Sequence, residues 1–130
     1  MKLNFKNKIV LLTGAGKGIG REILKQLIKE KIIVYAITRN TKDFKKIKNN
    51  KNTFLFSGDV IDKEVIENIF KKSKKNKHNI NCLINNAGIR QRKKFNSITD
   101  KNLKEVFENN FFSIFKTTQQ FLKNFKPKKN

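Results

Sequence analysis

The stretch from Thr13 to Gly20 restricts the fold of this chain more than any other, because four of its eight residues are glycine. It follows an apolar run, residues 9–12, which predicts a buried strand, and it opens a helical pattern that begins near Ile19. A strand, a tight turn and a helix in this order direct unpaired backbone N–H groups and the positive end of the helix dipole at one point. The stretch therefore predicts an anion-binding cradle, with a tight turn that binds no ligand as the alternative.

We expect the glycines of this turn to have separate roles. Gly14 permits the turn, Gly18 lets a pyrophosphate approach the backbone, and Gly20 lets the helix pack closely on its strand. The spacing departs from the common dinucleotide pattern G-x-G-x-x-G, because Ile19 or Arg21 stands where its last glycine is required. The pattern that is present is Thr-Gly-x-x-x-Gly-Ile-Gly.

Strand and helix patterns alternate along the rest of the chain. Short apolar runs predict strands over residues 8–13, 32–38, 53–57 and 80–85. Helical patterns follow them: one from Ile19, a weak Lys-rich one over residues 41–51, one capped by Asp62, and a long one capped by Thr99 or Asp100. This order predicts an α/β fold, a Rossmann-like doubly wound parallel sheet with flanking helices.

The chain is strongly basic, with 31 Lys and Arg residues against 10 Asp and Glu and a formal net charge of +21. The lysines lie mostly between apolar segments and are mixed with asparagine, which is typical of a compositional bias at solvated positions. They are accompanied by no nucleic-acid-binding motif and no interleaved aromatic stripe. We therefore expect no specific nucleic-acid partner, and binding through the basic surface is the less favoured alternative.

The single cysteine, Cys82, excludes an internal disulfide framework, and we interpret it as a small buried side chain of the fourth strand. Because the sequence shows no charged-then-apolar leader and no apolar run of about 20 residues, we expect a cytoplasmic protein with no membrane partner. His78 lies in a polar stretch without a second histidine or a carboxylate pattern. We interpret it as a solvated loop residue and predict no metal site.

Four motifs occur together in this chain: Thr13-Gly-x-x-x-Gly-Ile-Gly20, Asp59-Val60, Asn85-Asn86-Ala87-Gly88 and Asn110. In that order and at that spacing they resemble the short-chain dehydrogenase/reductase family, and the resemblance covers essentially the whole chain. It implies the strand order 3-2-1-4, a glycine turn at the coenzyme pyrophosphate, Asp59 and Val60 beside the adenine, and residues 86–88 along the coenzyme. It also implies a catalytic role for Asn110, which matches the helix asparagine that holds a water in the family's proton relay.

The residue that follows the second strand bears on the choice of coenzyme. A site for NAD places an acidic residue about 20 positions beyond the glycine turn, where it accepts from the ribose 2′-hydroxyl. This chain has Arg39 there, and Arg39 together with Lys17 offers positive charge to a 2′-phosphate. NADP(H) is therefore the preferred coenzyme, while Asp43 leaves NAD(H) open. The candidate coenzyme-binding residues are then Thr13, Gly14, Lys17, Gly18, Ile19, Gly20, Arg39, Asp59, Val60, Asn86, Ala87 and Gly88.

The family's proton-transfer residues have no counterpart in the sequence. Family members use a serine on the next strand and a Tyr-x-x-x-Lys pair on the helix after it. The one tyrosine here, Tyr35, lies inside the second predicted strand and is followed four places later by Arg39. Ser97 and Ser113 lie in the wrong elements to replace the serine. We therefore expect one domain over residues 1–130, with an incomplete sheet of about four strands that stops before the fifth and leaves the fourth as an open edge.

The resulting hypothesis is the coenzyme-binding half of an NADP(H)-dependent oxidoreductase that acts on a small-molecule carbonyl or alcohol and is inactive alone. The alternative is a non-catalytic nucleotide-binding module or a truncated inactive product. The phenylalanine-rich face of the last helix is expected to meet later elements or a second subunit, so a homo-oligomer through that helix stays open. That face includes Phe111, Phe115, Phe121 and Phe125.

Overall fold

The computed structural model describes residues 5–45, 47 and 50–127. These residues form four strands, β1 (Ile9–Thr13), β2 (Ile33–Thr38), β3 (Thr53–Ser57) and β4 (Cys82–Ile84). The strands make one parallel sheet in the order β3-β2-β1-β4. The Rossmann-like doubly wound fold and the strand order expected from the sequence are therefore confirmed.

Helices cover the sheet on both faces: α1 (Gly18–Lys29), α2 (Lys63–Lys75), α3 (Asp100–Phe107) and α4 (Ser113–Asn124). A π-helical turn, Glu108–Phe112, joins α3 to α4, so the long C-terminal helix is present with an expanded turn inside it. The weak helix expected over residues 41–51 is wrong for the described part of that segment, which contains only a 3₁₀ turn, Thr41–Phe44. Phe44 and Ile47 are the residues that this segment buries, too little apolar area to stabilise a longer helix.

The alternation of side chains along the strands divides the core into two layers. The layer between the sheet and α1 contains Val10, Leu12, Leu24, Leu27, Val34 and Ala36. The layer between the sheet and α2 contains Leu11, Tyr35, Ile37, Ile66, Ile69 and Phe70. Among the helices described, none has the length and apolar character required to cross a bilayer.

The β4 strand lies at the edge of the sheet, and its three residues are only partly buried. Cys82 lies in this strand as expected, although its side chain is half-buried rather than enclosed. This burial raises the pKa of the Cys82 thiol, and the nearby charge of Lys8 opposes the increase. Among the strands that the structure describes, β4 pairs with β1 alone, so its outer edge is open as the sequence predicted.

Two helices begin at side-chain caps that the sequence indicated. Asp62 Oδ1 accepts from the backbone N–H of Glu64 at 2.9 Å at the start of α2. Of the two candidates for α3, Thr99 is the cap, and it forms a reciprocal capping box with Asn102. Helix α1 differs from both, because Lys17 at its start makes no side-chain capping bond and its first turn contains no acidic residue.

The C-terminal helix packs on the protein through polar and small side chains. Its buried residues are Asn109, Ser113, Thr117 and Gln120. Its opposite face carries exposed apolar side chains, among them Phe107, Phe111, Phe115 and Leu122. The phenylalanine-rich face that the sequence predicted is therefore exposed only in part: Phe111 and Phe115 are exposed, whereas Phe121 packs against the core layer beside α2 and stacks on Phe125.

Tyr35 is the centre of a buried polar and aromatic cluster. Its ring stacks on Phe54 with 4.6 Å between centroids, and its hydroxyl lies 2.9 Å from His78 Nδ1 and accepts from Asn76 Nδ2 at 3.0 Å. Burial raises the pKa of the Tyr35 hydroxyl, and the bond from Asn76 opposes the increase. The interpretation of His78 as a solvated residue is therefore wrong: the ring is half-buried against Tyr35 and Phe54.

Replacing Tyr35 by Phe should lower the free energy of unfolding by about 1 kcal/mol at pH 7, because the substitution leaves His78 and Asn76 without their partner. The contribution of the neutral hydroxyl is fully present below the pKa of an unfolded tyrosine, about 10. It is lost as pH rises through the raised pKa of the folded protein, because only the unfolded chain then ionises readily. Urea denaturation of both proteins at pH 7 and above pH 10 should show the difference shrinking. A constant difference contradicts this account.

Candidate functional site

A cavity of about 840 Å³ opens at the carboxyl edge of the sheet. It lies beside the point where the chain order reverses, since β1 pairs with β2 on one side and with β4 on the other. Ligand sites of doubly wound folds lie in this position. The cavity wall includes Gly14, Lys17, Gly18, Ile19, Gly20, Arg39, Asp43, Val60, Asn86, Ala87 and Gly88. The fold therefore brings together most of the residues that the sequence proposed for coenzyme binding.

The hydroxyl of Thr13 joins the glycine turn to the end of β4. Its Oγ1 accepts from the backbone N–H groups of Asn86 at 3.1 Å and Ala87 at 3.0 Å. In return, Asn86 Nδ2 donates to the carbonyl of Gly14 at 3.0 Å and lies 3.3 Å from that of Thr13. Thr13 and Asn86 therefore hold the walls of the cavity together, a role in addition to the one that the resemblance implied.

Three glycines meet different steric demands. Gly14 has a φ of +65°, which the turn requires. A Cβ on Gly20 would lie 2.1 Å from the carbonyl oxygen of Gly14, so only glycine lets α1 pack against the turn. A Cβ on Gly18, by contrast, would meet open space, although the φ of +51° still favours glycine. Gly18 is thus the glycine that leaves room for a ligand.

Gly16 has a role that the sequence did not assign. A Cβ there would lie 2.2 Å from Thr38 Oγ1 and 2.8 Å from Asp43, so the turn lies directly against the end of β2. The backbone N–H of Ala15 donates to the carbonyl of Ile37 at 3.0 Å in the same region. The sequence contained a signal for this role, because Gly16 is the one glycine of the turn that the motif left without a function.

The glycine turn and the start of α1 fit an anionic group such as a pyrophosphate. Helix α1 begins without a side-chain cap, so the backbone N–H groups of its first turn are available to an external acceptor. Gly18 stands at this start with open space before it. Ile19 beside it has an exposed apolar side chain.

Both cations that the sequence proposed for a 2′-phosphate lie at the cavity, and each is paired with a carboxylate. Lys17 Nζ lies 3.6 Å from Asp43 Oδ1, with the lysine side chain 74% exposed and the aspartate 13% exposed. Asp43 also accepts from Thr38 Oγ1 at 3.2 Å. Arg39 Nε lies 3.2 Å from Asp59 Oδ2. Asp59, which the resemblance placed beside the adenine, therefore directs its carboxylate at Arg39.

Arg39 has a second partner, Asn109, which the sequence did not single out. Arg39 Nη2 donates to Asn109 Oδ1, and Asn109 is 5% exposed on the π turn. The two residues are 70 positions apart in the chain. The local sequence contained no signal for this contact, because Asn109 reads as one more polar residue in a helical pattern.

Asn110 lies on the same π turn and bonds to the backbone of the loop after β4. Its Oδ1 accepts from the N–H of Ile89 at 2.7 Å, and its Nδ2 donates to the carbonyl of Ile89 at 2.6 Å. A Cβ on Gly88 would lie 3.2 Å from Asn110 Oδ1, so the loop lies close to the helix at this point. The side chain of Asn110 thus fixes one wall of the cavity, while its part in a proton relay stays a prediction.

Comparisons with known proteins agree with this geometry. The family model described as short chain dehydrogenase matches residues 8–130. A 3-oxoacyl-acyl-carrier-protein reductase of Buchnera aphidicola is 33% identical over 119 residues, which cover 87% of this chain and 47% of the relative. The chain therefore spans about half the length of this relative.

Solved structures with a similar fold include two dehydrogenases. A short-chain dehydrogenase from Streptomyces avermitilis superposes with a TM-score of 0.80 and 27% identity, over 90% of this chain and 44% of that one. A 4-hydroxyisoleucine dehydrogenase complexed with NADH superposes with a TM-score of 0.76 and 26% identity, over 90% of this chain and 49% of that one.

Replacing Thr13 by Val should destabilise the protein by about 1–3 kcal/mol, because the partly buried N–H groups of Asn86 and Ala87 lose their acceptor while the side-chain volume is kept. Thr13→Ser is the matched control, since it keeps the hydroxyl and removes only a methyl group. Its cost should be closer to about 1 kcal/mol. Urea unfolding followed by circular dichroism measures both. Equal losses in the two variants would show that the hydroxyl is not the anchor.

Proposed function

Because the chain belongs to the short-chain dehydrogenase family, we propose that it forms the coenzyme-binding half of an oxidoreductase that transfers hydride between NADP(H) and a small carbonyl or alcohol. The observation that carries this proposal is the glycine cradle at the cavity. There the uncapped start of α1 and the open space before Gly18 offer backbone N–H groups to an anion.

In the proposed reaction a bound nicotinamide coenzyme would supply or accept the hydride. The start of α1 and Gly18 bind the pyrophosphate through backbone N–H groups. Thr13 and Asn86 keep the glycine turn and the end of β4 at a fixed separation, so the cradle is formed before the ligand arrives. Asn110 holds the loop at Ile89 in place on the far side of the cavity.

The proposed preference for NADP(H) is supported by the charge at the end of β2. Arg39 lines the cavity and half of its side chain remains exposed, so it can contact a 2′-phosphate while it is bonded to Asp59. Lys17 is more exposed still, and its 3.6 Å contact with the mostly buried Asp43 leaves the lysine end of the pair able to contact a phosphate. NAD(H) is the alternative, because the Asp43 carboxylate lies at the same cavity and can accept from a ribose hydroxyl.

None of the described residues is proposed as the proton donor or acceptor itself, while Asn110 keeps its proposed part in the relay, where it would hold a water. Tyr35, the one tyrosine of the sequence, is fully buried in β2 with its hydroxyl bonded to Asn76 and adjacent to His78. The catalytic serine and the Tyr-x-x-x-Lys pair expected of the family are therefore proposed to come from residues beyond these 130. This burial also supports the second candidate function, a nucleotide-binding module without catalysis.

The exposed apolar face of α4, which includes Phe115 and Leu122, is a surface through which two copies could associate. We propose no specific nucleic-acid partner, because the excess of lysine is distributed over the sequence rather than gathered in a motif. The proposed location is the cytoplasm, in keeping with a single, unpaired cysteine.

Calorimetric titration of the full chain with NADPH and with NADH tests the proposal. The wild type should bind NADPH more tightly, and Arg39→Ala should raise the Kd for NADPH by about 10- to 100-fold, because a charge-assisted contact to the 2′-phosphate is lost. The Kd for NADH should change little. Lys29→Ala is the matched charge control, since Lys29 lies in the last turn of α1 away from the cavity.

The Asp43→Asn variant distinguishes the proposed preference for NADPH from the NAD(H) alternative. A weaker NADH complex in Asp43→Asn, with the wild type preferring NADH, would establish the NAD(H) alternative. Absence of binding to either coenzyme would contradict the cradle itself. Binding without reduction is expected of both the coenzyme-binding half and the non-catalytic module, whereas reduction of a carbonyl by these 130 residues alone would contradict the proposal that the proton-transfer residues lie elsewhere.

A further inference from the structure

We propose that Asn109 is a positioning residue for coenzyme selectivity, which holds the guanidinium of Arg39 at the mouth of the cavity so that it meets the 2′-phosphate in a fixed orientation. This inference rests on the proposed function, and it concerns a residue that neither the sequence motifs nor the family match single out. The contact on which it depends joins Arg39 Nη2 to Asn109 Oδ1.

The orientation of the Asn109 amide is determined by its own helix. Asn109 Nδ2 donates to the carbonyl of Glu105 at 2.9 Å, so the Oδ1 end of the amide is the one that faces Arg39. The backbone carbonyl of Asn109 in turn accepts from Ser113 Oγ at 2.6 Å. Asn109 is also nearly enclosed, with 5% of its surface exposed. It therefore presents one acceptor to Arg39 from a rigid site.

Two acceptors on two different nitrogens orient the guanidinium plane. Asp59 contacts Nε at 3.2 Å and Asn109 contacts Nη2, and a planar guanidinium held at two atoms cannot rotate freely. The group carries more N–H donors than these contacts use. The donors that remain are available to a phosphate, because Arg39 lines the cavity.

The neutral amide of Asn109 orients the guanidinium of Arg39 without reducing its positive charge. Asp59 compensates part of the positive charge of Arg39, whereas Asn109 does not. An arginine side chain loses much of its rotamer freedom when it is immobilised, and this loss opposes binding. Because Asn109 immobilises Arg39 before the coenzyme binds, part of this cost is met during folding, and the complex with a 2′-phosphate is correspondingly tighter.

The π turn that contains Asn109 also contains a residue that contacts the cavity wall after β4. Asn110, the following residue, bonds to the backbone of Ile89. Through Asn109 this turn of helix contacts Arg39 at the proposed 2′-phosphate site, and through Asn110 it contacts the loop after β4. A substitution of Asn109 should therefore disturb the contact with Arg39 and leave the contact of Asn110 with the loop in place.

The test is a double-mutant cycle of Asn109→Ala and Arg39→Ala, with Kd values for NADPH and NADH measured by calorimetry. Asn109→Ala should raise the Kd for NADPH by about 5- to 10-fold and change that for NADH by less than about twofold. In the Arg39→Ala background, Asn109→Ala should have no further effect on the ratio of the two constants. A merely structural role would weaken both coenzymes alike in both backgrounds.

Asn124→Ala is the matched control, because it removes an asparagine amide that likewise donates to the carbonyl four residues earlier in the chain, without contact to Arg39. It should leave the NADPH to NADH ratio unchanged. Circular dichroism checks the fold of each variant. Should Asn109→Ala fail to fold, Asn109→Leu, which fills the same space without an acceptor, takes its place with the same expected ratio.

The outcomes distinguish this inference from the proposed function. A wild type that prefers NADPH together with an unchanged ratio in Asn109→Ala overturns the role of Asn109 and leaves the coenzyme choice intact. A wild type without a preference for NADPH overturns the coenzyme choice, and the role of Asn109 with it. A reduced ratio that persists in the Arg39→Ala background shows that Asn109 does not act through Arg39.

Discussion

The hydroxyl group of Thr13 is the constraint on which the candidate site depends. The threonine is 2% exposed, and its hydroxyl accepts from two consecutive backbone N–H groups, those of Asn86 and Ala87. Strands β1 and β4 diverge at this point toward different connections, and without the hydroxyl the two N–H groups after β4 would lose the acceptor that joins them to β1. The glycine turn, the start of α1 and the loop after β4 all take their positions from this junction.

The sequence predicted the fold more completely than the site. Strands β1, β2 and β3 were placed to within a residue, because continuous apolar runs bounded by polar residues leave few alternatives. In the described part of residues 41–51 the expected helix is replaced by a 3₁₀ turn, because lysine-rich sequence can satisfy a helical pattern without having an apolar face to bury. His78 was misassigned for a related reason: its neighbours in sequence are polar, but its neighbours in space are Tyr35 and Phe54.

The partners of the candidate site residues could not be predicted for a different reason. Motifs identify residue types at fixed spacing, and they correctly brought the glycine turn and residues 86–88 to one cavity. They contain no information on contacts between distant segments, such as Arg39 with Asn109. Nor does the overall charge of +21 reveal that two of the ten acidic residues lie beside the proposed phosphate-binding cations. Local charge balance at a site is decided by the fold, whatever the average composition.

The π turn between α3 and α4 determines which changes of sequence the helical segment from α3 to α4 can accept. An expanded turn contains about one residue more than an α turn, so the helix after it is rotated by roughly 100° relative to an uninterrupted helix. The buried polar face and the outward phenylalanines are both aligned by that extra residue. The segment can therefore accept exchanges of side chain on its outer face, whereas the loss or gain of a single residue would turn the apolar face inward and carry both asparagines away from the cavity.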